Sequence, residues 1–212
     1  MAKTEHYFTK FETGRFYHVY NRGIDRKPIF KGKENYEFFL SRIEKYLTPV
    51  LEVYSYSLMQ NHFHLMVRVN DLNRFTELSD NSEPDITKIV SHSFQKMFQS
   101  YAMAFNKKYE RVGTLFQTPF KRSLVDSEEY FTNLILYIHS NPQKHGYIKD
   151  FRTYKWSSYL SILNNSFNIL HASEVIDWFG GKAKYFEQHA DRHKNVFAGD
   201  WDDDITLESL TL

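Results

Sequence analysis

The stretch Asn61-His62-Phe63-His64-Leu65-Met66-Val67-Arg68-Val69 decides how this chain is read. Side chains alternate along an extended strand, so His62, His64, Met66 and Arg68 share one face. Phe63, Leu65, Val67 and Val69 share the other. The second set is uniformly apolar and reads as the face packed on a core. The first sets two imidazoles side by side, close enough to share one metal ion or one phosphate. Taken alone, such a pair is equally well explained as two buried histidines satisfied by backbone groups.

A second stretch, Tyr137-Ile138-His139-Ser140-Asn141-Pro142, tips the balance toward chemistry. Asp126 and Glu129 form a capping-box-like pair, with Ser127 as a rival N-cap, which predicts a helix start. Phe131, Leu134, Ile135 and Ile138 then recur at i, i+3, i+4 and i+7 and mark a core stripe. Pro142 disfavours helical geometry at Asn141, so the helix is expected to end about there. Tyr130, Tyr137 and Asn141 fall on one side, and Tyr137 and Asn141, four apart, are surface neighbours. A phenol and a carboxamide oxygen thus face a single point. The bland alternative for these two is a half-exposed aromatic beside a helix C-cap.

Together the two stretches resemble the single-tyrosine HUH transposases, named for their His-hydrophobic-His motif, and within them the REP-associated tyrosine transposase branch. Three further pieces match that family in order: Tyr17-His18-Val19-Tyr20-Asn21-Arg22-Gly23, Gly113-Thr114-Leu115-Phe116-Gln117 and Trp156-Ser157-Ser158-Tyr159. The histidine motif itself extends back to Met59-Gln60. The resemblance spans residues 14–160. It implies that His62, His64 and Asn141 are metal ligands and that Tyr137 is the nucleophile. Insertion-sequence relatives usually carry glutamine at the third ligand position; asparagine fits the REP-associated branch.

The chemistry accounts for these residue types. A tyrosine attacking a phosphodiester in single-stranded DNA forms a phosphotyrosine link and releases a 3′-hydroxyl. The link conserves the energy of the broken bond, so rejoining needs no nucleotide cofactor. A phenol, with a pKa of ~10, is a poor nucleophile while protonated. A divalent cation offsets the developing charge. Two imidazoles and a carboxamide leave room for oxygen ligands, which suits Mg²⁺ or Mn²⁺, although Zn²⁺ or Ni²⁺ would also accept imidazole.

Composition agrees without being diagnostic. The chain of 212 residues suffices for one good core plus an extension, and it holds no cysteine, so disulfide frameworks and thiolate metal sites are excluded. No apolar signal core or membrane-length stretch occurs, and a cytoplasmic protein is expected. Net charge is +1, but residues 200–212 hold five acids and no base, leaving 27 bases against 21 acids, a net +6, on residues 1–199. A mildly basic body fits nucleic acid; the acidic tail is either a solvated terminus or a mimic of DNA. Aromatic residues are abundant, with 19 Phe and 15 Tyr, and any exposed ring is a platform for unpaired bases. Phe94, Phe98, Tyr101 and Phe105, at helical spacing, read instead as core.

The expected order is β-α-β-β-α-β-α. Strands are placed near Phe16–Asn21, Leu51–Leu58, Asn61–Val69 and Phe120–Val125. Helices are placed at Glu34–Leu47, from Ile86 past Phe105, and around Tyr137. The polar segment Asp71–Asp85 reads as a long loop. This order predicts an α+β, ferredoxin-like sandwich: an antiparallel sheet covered by helices on one face, with the histidines on the open face. Residues 1–160 form the catalytic domain of this reading. Residues 161–212 form a C-terminal helical extension with an acidic tail, containing short helices at Ser173–Phe179 and Lys182–His193.

The function expected is that of a metal-dependent single-stranded DNA endonuclease and strand transferase acting on hairpin-containing DNA, as a monomer or homodimer. A water-using metal-dependent phosphodiesterase and a domesticated, non-catalytic hairpin-binding protein are the alternatives. Arg22, Arg68, Lys121 and Arg122 are candidate DNA contacts, with Arg68 favoured because it shares the histidine face. His18 lies on a strand expected beside the histidine strand and reads first as structural. His139 is expected to point away from the site.

Overall fold

A computed structural model describes residues 9–71 and 85–196. The N-terminal residues 1–8, most of the Asp71–Asp85 loop and the acidic tail at 200–212 lie outside the described residues.

Four strands, β1 (Phe16–Arg22), β2 (Leu51–Met59), β3 (His62–Val69) and β4 (Lys121–Val125), form one antiparallel sheet in the order β2-β3-β1-β4. Helices α1 (Lys33–Tyr46) and α2 (Ile86–Lys108) connect β1 to β2 and β3 to β4. That is the ferredoxin-like arrangement expected from the element order. Both helices lie on one face of the sheet and pack against each other. There Phe63 meets Phe39 of α1 and Phe98 of α2, with ring centroids 5.0 and 5.9 Å apart. The apolar set of β3 therefore faces this core, and Phe63, Leu65 and Val67 are fully buried.

Local signals set the helix starts. The Asn35 carboxamide oxygen accepts from the backbone amides of Lys31 and Gly32 at 2.9 and 3.1 Å, closing the first turn of α1. The Asp85 carboxylate does the same for Lys88 at the head of α2, at 3.0 Å.

The sheet's other face is not open. Helix α3 (Glu128–Lys144) packs across β2 and β3, and Phe131 sits 4.3 Å from Phe16 while Tyr137 sits 5.6 Å from His64. Once α1 and α2 have taken one face, the stripe Phe131, Leu134, Ile135 and Ile138 has only the second face left to bury itself on. Helix α3 also runs through Pro142, where an end was expected. Proline forfeits one bond to the Ile138 carbonyl, but only one turn remains. The His145 amide still donates to the Asn141 carbonyl at 2.9 Å and keeps that turn closed.

Three further helices follow: α4 (Tyr159–Asn164), which was not anticipated, then α5 (Ala172–Trp178) and α6 (Lys182–Lys194) close to their expected bounds. Trp178 of α5 packs on Phe131 and Tyr54, each 4.9 Å away, and α6 lies along α3. No helix among the described residues is long and apolar enough to cross a membrane.

Candidate active site

Strand pairing builds the site from three elements. In β1, Arg22 lies opposite His62, Tyr20 opposite His64 and His18 opposite Met66, so His18, Tyr20 and Arg22 share the histidine face. Helix α3 closes over that face and brings Tyr137 and Asn141 to it. The rings of His62 and His64 are 5.4 Å apart, and Tyr137 stands edge-on to His64 and, at 6.0 Å, to His18. His62, His64, Tyr137 and Asn141, far apart in sequence, thus meet at one place. None of the four is more than 3% exposed.

Each histidine is held through Nδ1. His62 Nδ1 lies 2.6 Å from the Asn61 carboxamide oxygen, which can only accept, so the proton sits on Nδ1. His64 Nδ1 lies 2.8 Å from His18 Nε2, and the two rings share one proton between them. His62 Nε2 is then a lone-pair acceptor, and His64 Nε2 is one as well in the tautomer that carries the shared proton on Nδ1. Burial, together with the charge of Arg22 and neighbouring histidines, holds both imidazoles well below the usual histidine pKa and hence neutral. Asn141 donates its amide hydrogen to the Tyr137 carbonyl at 2.9 Å, which leaves Oδ1 aimed elsewhere.

His62 Nε2, His64 Nε2 and Asn141 Oδ1 are fully buried and have no hydrogen-bond partner among the described residues. Buried polar atoms are nearly always paired, so three orphans in one site call for a bound group. Two imidazole nitrogens and one carboxamide oxygen form a donor set suited to a divalent cation. Among the described residues no three His, Cys, Asp or Glu side chains are placed to hold one metal ion together, which leaves the Asn141 carboxamide as the third donor beside the two histidines.

The Tyr137 phenol is raised above its ordinary pKa, chiefly by burial. The Asn141 carboxamide and the cations Arg192 and Arg22 pull the other way. Lys144 lies 5.1 Å from the Tyr137 ring, and burial and the charge of Arg192 bring its ammonium down to about 8. His145, at the end of α3, stacks edge-on against His62 at 4.9 Å and is lowered to about 4, mainly by burial.

The four basic candidates divide. Arg22 lies beside His62. Lys121 lies opposite Tyr20 on the same face, its ammonium 5.8 Å from that ring. Arg68 is at the far end of β3, about 20 Å from His62 at the usual rise per residue. There it is gripped by Glu52 and, at 3.2 Å, by Glu174. Arg122 sits opposite Val19, donates to the Thr9 carbonyl and stacks on Phe11 at 4.8 Å. His139 points away as expected, into a buried network with His189 at 2.8 Å and Ser158 at 2.7 Å.

Sequence reasoning did not single out His145, Lys144 or Arg192, and it read His18 first as structural. For His145 a signal existed, since it follows Asn141 by four residues, but reading Pro142 as a stop hid it. Arg192 gave none, because only the packing of α6 brings it near. A separate cavity of about 680 Å³ lies on the α2 side, lined in part by Gln95, Gln99, Gln117, Phe98 and Phe116.

The chain matches no protein-family model and no curated protein. Among solved structures it is similar to a REP-associated tyrosine transposase bound to a REP hairpin. The TM-score is 0.52 at 14% identity over 94% of this chain and 92% of that one. It takes the fold of that transposase. Bacterial tRNA(His) guanylyltransferase (Thg1)-like proteins resemble it more weakly. The GTP complex gives a TM-score of 0.42 at 14% identity over 65% of this chain and 66% of that one. The ATP complex gives 0.43 at 12% over 81% and 69%. The transposase fold spans α4 to α6 as well as the sheet, since the alignment covers nearly the whole chain.

Proposed function

We propose that this chain is a metal-dependent single-stranded DNA endonuclease and strand transferase that works through a covalent phosphotyrosine intermediate on hairpin-containing DNA. The observation that carries this reading is the set of three buried polar atoms without a partner, His62 Nε2, His64 Nε2 and Asn141 Oδ1, gathered beside Tyr137. The fold shared with a hairpin-bound transposase supports it.

In this reading His62, His64 and Asn141 hold a divalent cation, Mg²⁺ or Mn²⁺. When bound, the cation polarises the scissile phosphate and offsets its developing charge. The rest is the work of the chain. Asn61 fixes the tautomer of His62, and His18 orients the ring of His64. Tyr137 Oη attacks phosphorus; the Oη–P bond forms, the P–O3′ bond breaks, and the phenolic proton is transferred, in net, to the departing 3′-oxygen. Arg22 and Lys121, at the rim of the same face, draw in the backbone.

The test is a denaturing gel of labelled single-stranded hairpin DNA incubated with Mn²⁺. A protein-linked DNA band that vanishes in Tyr137→Phe is expected. Metal-dependent nicks without an adduct would establish the water-using phosphodiesterase. Binding with neither product would establish the non-catalytic hairpin binder.

A further inference from the structure

Helix α6 brings a cation against the Tyr137–Ser140 turn of α3. Arg192 is half-buried, and its Nε donates to Ser140 Oγ at 3.3 Å; Ser140 in turn donates to the Tyr137 carbonyl at 3.1 Å. Two neighbouring contacts fix α6 against α3. His139 and His189 meet at 2.8 Å, and the Gln143 carboxamide bridges to His193, with its oxygen 2.8 Å from the ring Nδ1 and its nitrogen 3.1 Å from the carbonyl. The guanidinium is therefore placed by a rigid helix pair rather than waving from a surface.

Its charge has no carboxylate partner among the described residues, unlike Arg68 and Arg152, which are each gripped by one or more. Ser140 uses one of five N–H donors. A guanidinium in a half-dry site gives up hydration, a cost offset when an anion enters. Guanidinium suits phosphate in particular, since its planar fork matches two oxygens at once.

We propose that Arg192 binds a non-bridging oxygen of the DNA phosphate that Tyr137 attacks, which makes α6 part of the active site. The identity of that phosphate rests on the function proposed above. The anion contact itself does not.

Two variants separate charge from scaffold. Arg192→Gln keeps a donor for Ser140 and removes the charge, whereas Arg192→Lys keeps the charge and loses the fork. The first measurement needs no catalysis: fluorescence anisotropy of a short labelled oligothymidylate with the Tyr137→Phe protein in EDTA, across a range of salt. Removing one phosphate contact should lower the log–log salt slope by ~0.7 in Arg192→Gln, with the slope kept in Arg192→Lys. The second is adduct formation in the Tyr137 background with Mn²⁺ and hairpin DNA. Arg192→Gln should slow it roughly 10²-fold, with partial rescue by lysine, while melting temperatures stay close to wild type.

An unchanged slope in Arg192→Gln overturns the proposal even if the adduct forms normally. A reduced slope in a protein that never forms an adduct upholds the phosphate contact and removes the nucleophile reading instead. Salt-independent binding by the Tyr137→Phe protein overturns both.

Discussion

His18 Nε2 lies 2.8 Å from His64 Nδ1, in a pair of nearly parallel rings that bridges β1 and β3. That contact orients the His64 ring; in the function proposed above, a proton shared at Nδ1 leaves the Nε2 lone pair for the metal ion. His18→Ala should therefore weaken Mn²⁺ binding by roughly 10- to 100-fold, the usual cost of losing a partner of a metal-bound histidine. Calorimetric titration with Mn²⁺ checks this, and single-strand affinity in EDTA should stay within about twofold. Unaltered metal affinity would remove His18 from the site.

Tyr137→Phe and His62→Ala should fail in different ways. The first deletes one oxygen, so metal and DNA binding persist while the covalent adduct disappears. The second should abolish tight Mn²⁺ binding and slow the adduct, with partial recovery at high Mn²⁺. An adduct formed by Tyr137→Phe would assign the nucleophile to another residue.

Gly23 has no room for a methyl group. A Cβ there would fall 2.1 Å from the Lys27 carbonyl oxygen, and the Gly23 amide donates to the Asn61 carbonyl at 2.8 Å. Gly23→Ala must open that turn and disturb Asn61, which orients His62. A loss of ~1–3 kcal/mol in stability is expected, accompanied by weaker Mn²⁺ binding. Chemical denaturation and calorimetry measure the two effects separately.

The two faces of β3 should separate stability from chemistry. Phe63 lies between His62 and His64 in sequence but packs on Phe39 and Phe98 across the sheet. Phe63→Ala should cost ~3–5 kcal/mol, read from urea unfolding. At low temperature, where the variant remains folded, Mn²⁺ affinity should match wild type. A variant of unchanged stability would contradict the packing described.

Acid should destabilise the protein through its buried histidines. His189 is lowered to about 4, mainly by burial, whereas an unfolded histidine titrates near ~6.5. Between these values the unfolded chain binds the extra proton, so stability is full above ~6.5 and falls as the pH drops toward 4. His189→Gln removes that group and should make the slope shallower by about 1.4 kcal/mol per pH unit. Unfolding free energies measured from pH 7 to 4.5 decide this; parallel curves would mean that His189 does not set the acid sensitivity.

The fold and the faces that carry the candidate site were legible because each rests on local periodicity, whereas the roles given to those side chains came from the family resemblance. The two-residue alternation of Phe63, Leu65, Val67 and Val69 assigned the faces of β3. The i, i+3, i+4, i+7 spacing of Phe131 to Ile138 assigned α3. What periodicity cannot show is which surface an amphipathic element finally covers. The histidine face looked open for that reason, although α3 buries it. Pro142 misled for a related cause: proline's local penalty is real, yet a single remaining turn tolerates it, and that turn places Lys144 and His145 at the site.

By itself, the sequence determined the order of elements, the pairing of His62 with His64 on one face and the neighbourhood of Tyr137 and Asn141 on one helix. Only the tertiary structure decided that Asn61 and His18 hold the two imidazoles, that His62 Nε2, His64 Nε2 and Asn141 Oδ1 are buried without partners among the described residues, and that Arg192 arrives from α6 while Arg68 is bound to Glu52 and Glu174. The physical reason is range. Backbone geometry repeats over a few residues and can be read along the chain, whereas hydrogen bonds and charge pairs form between whichever groups packing brings within about 3 Å.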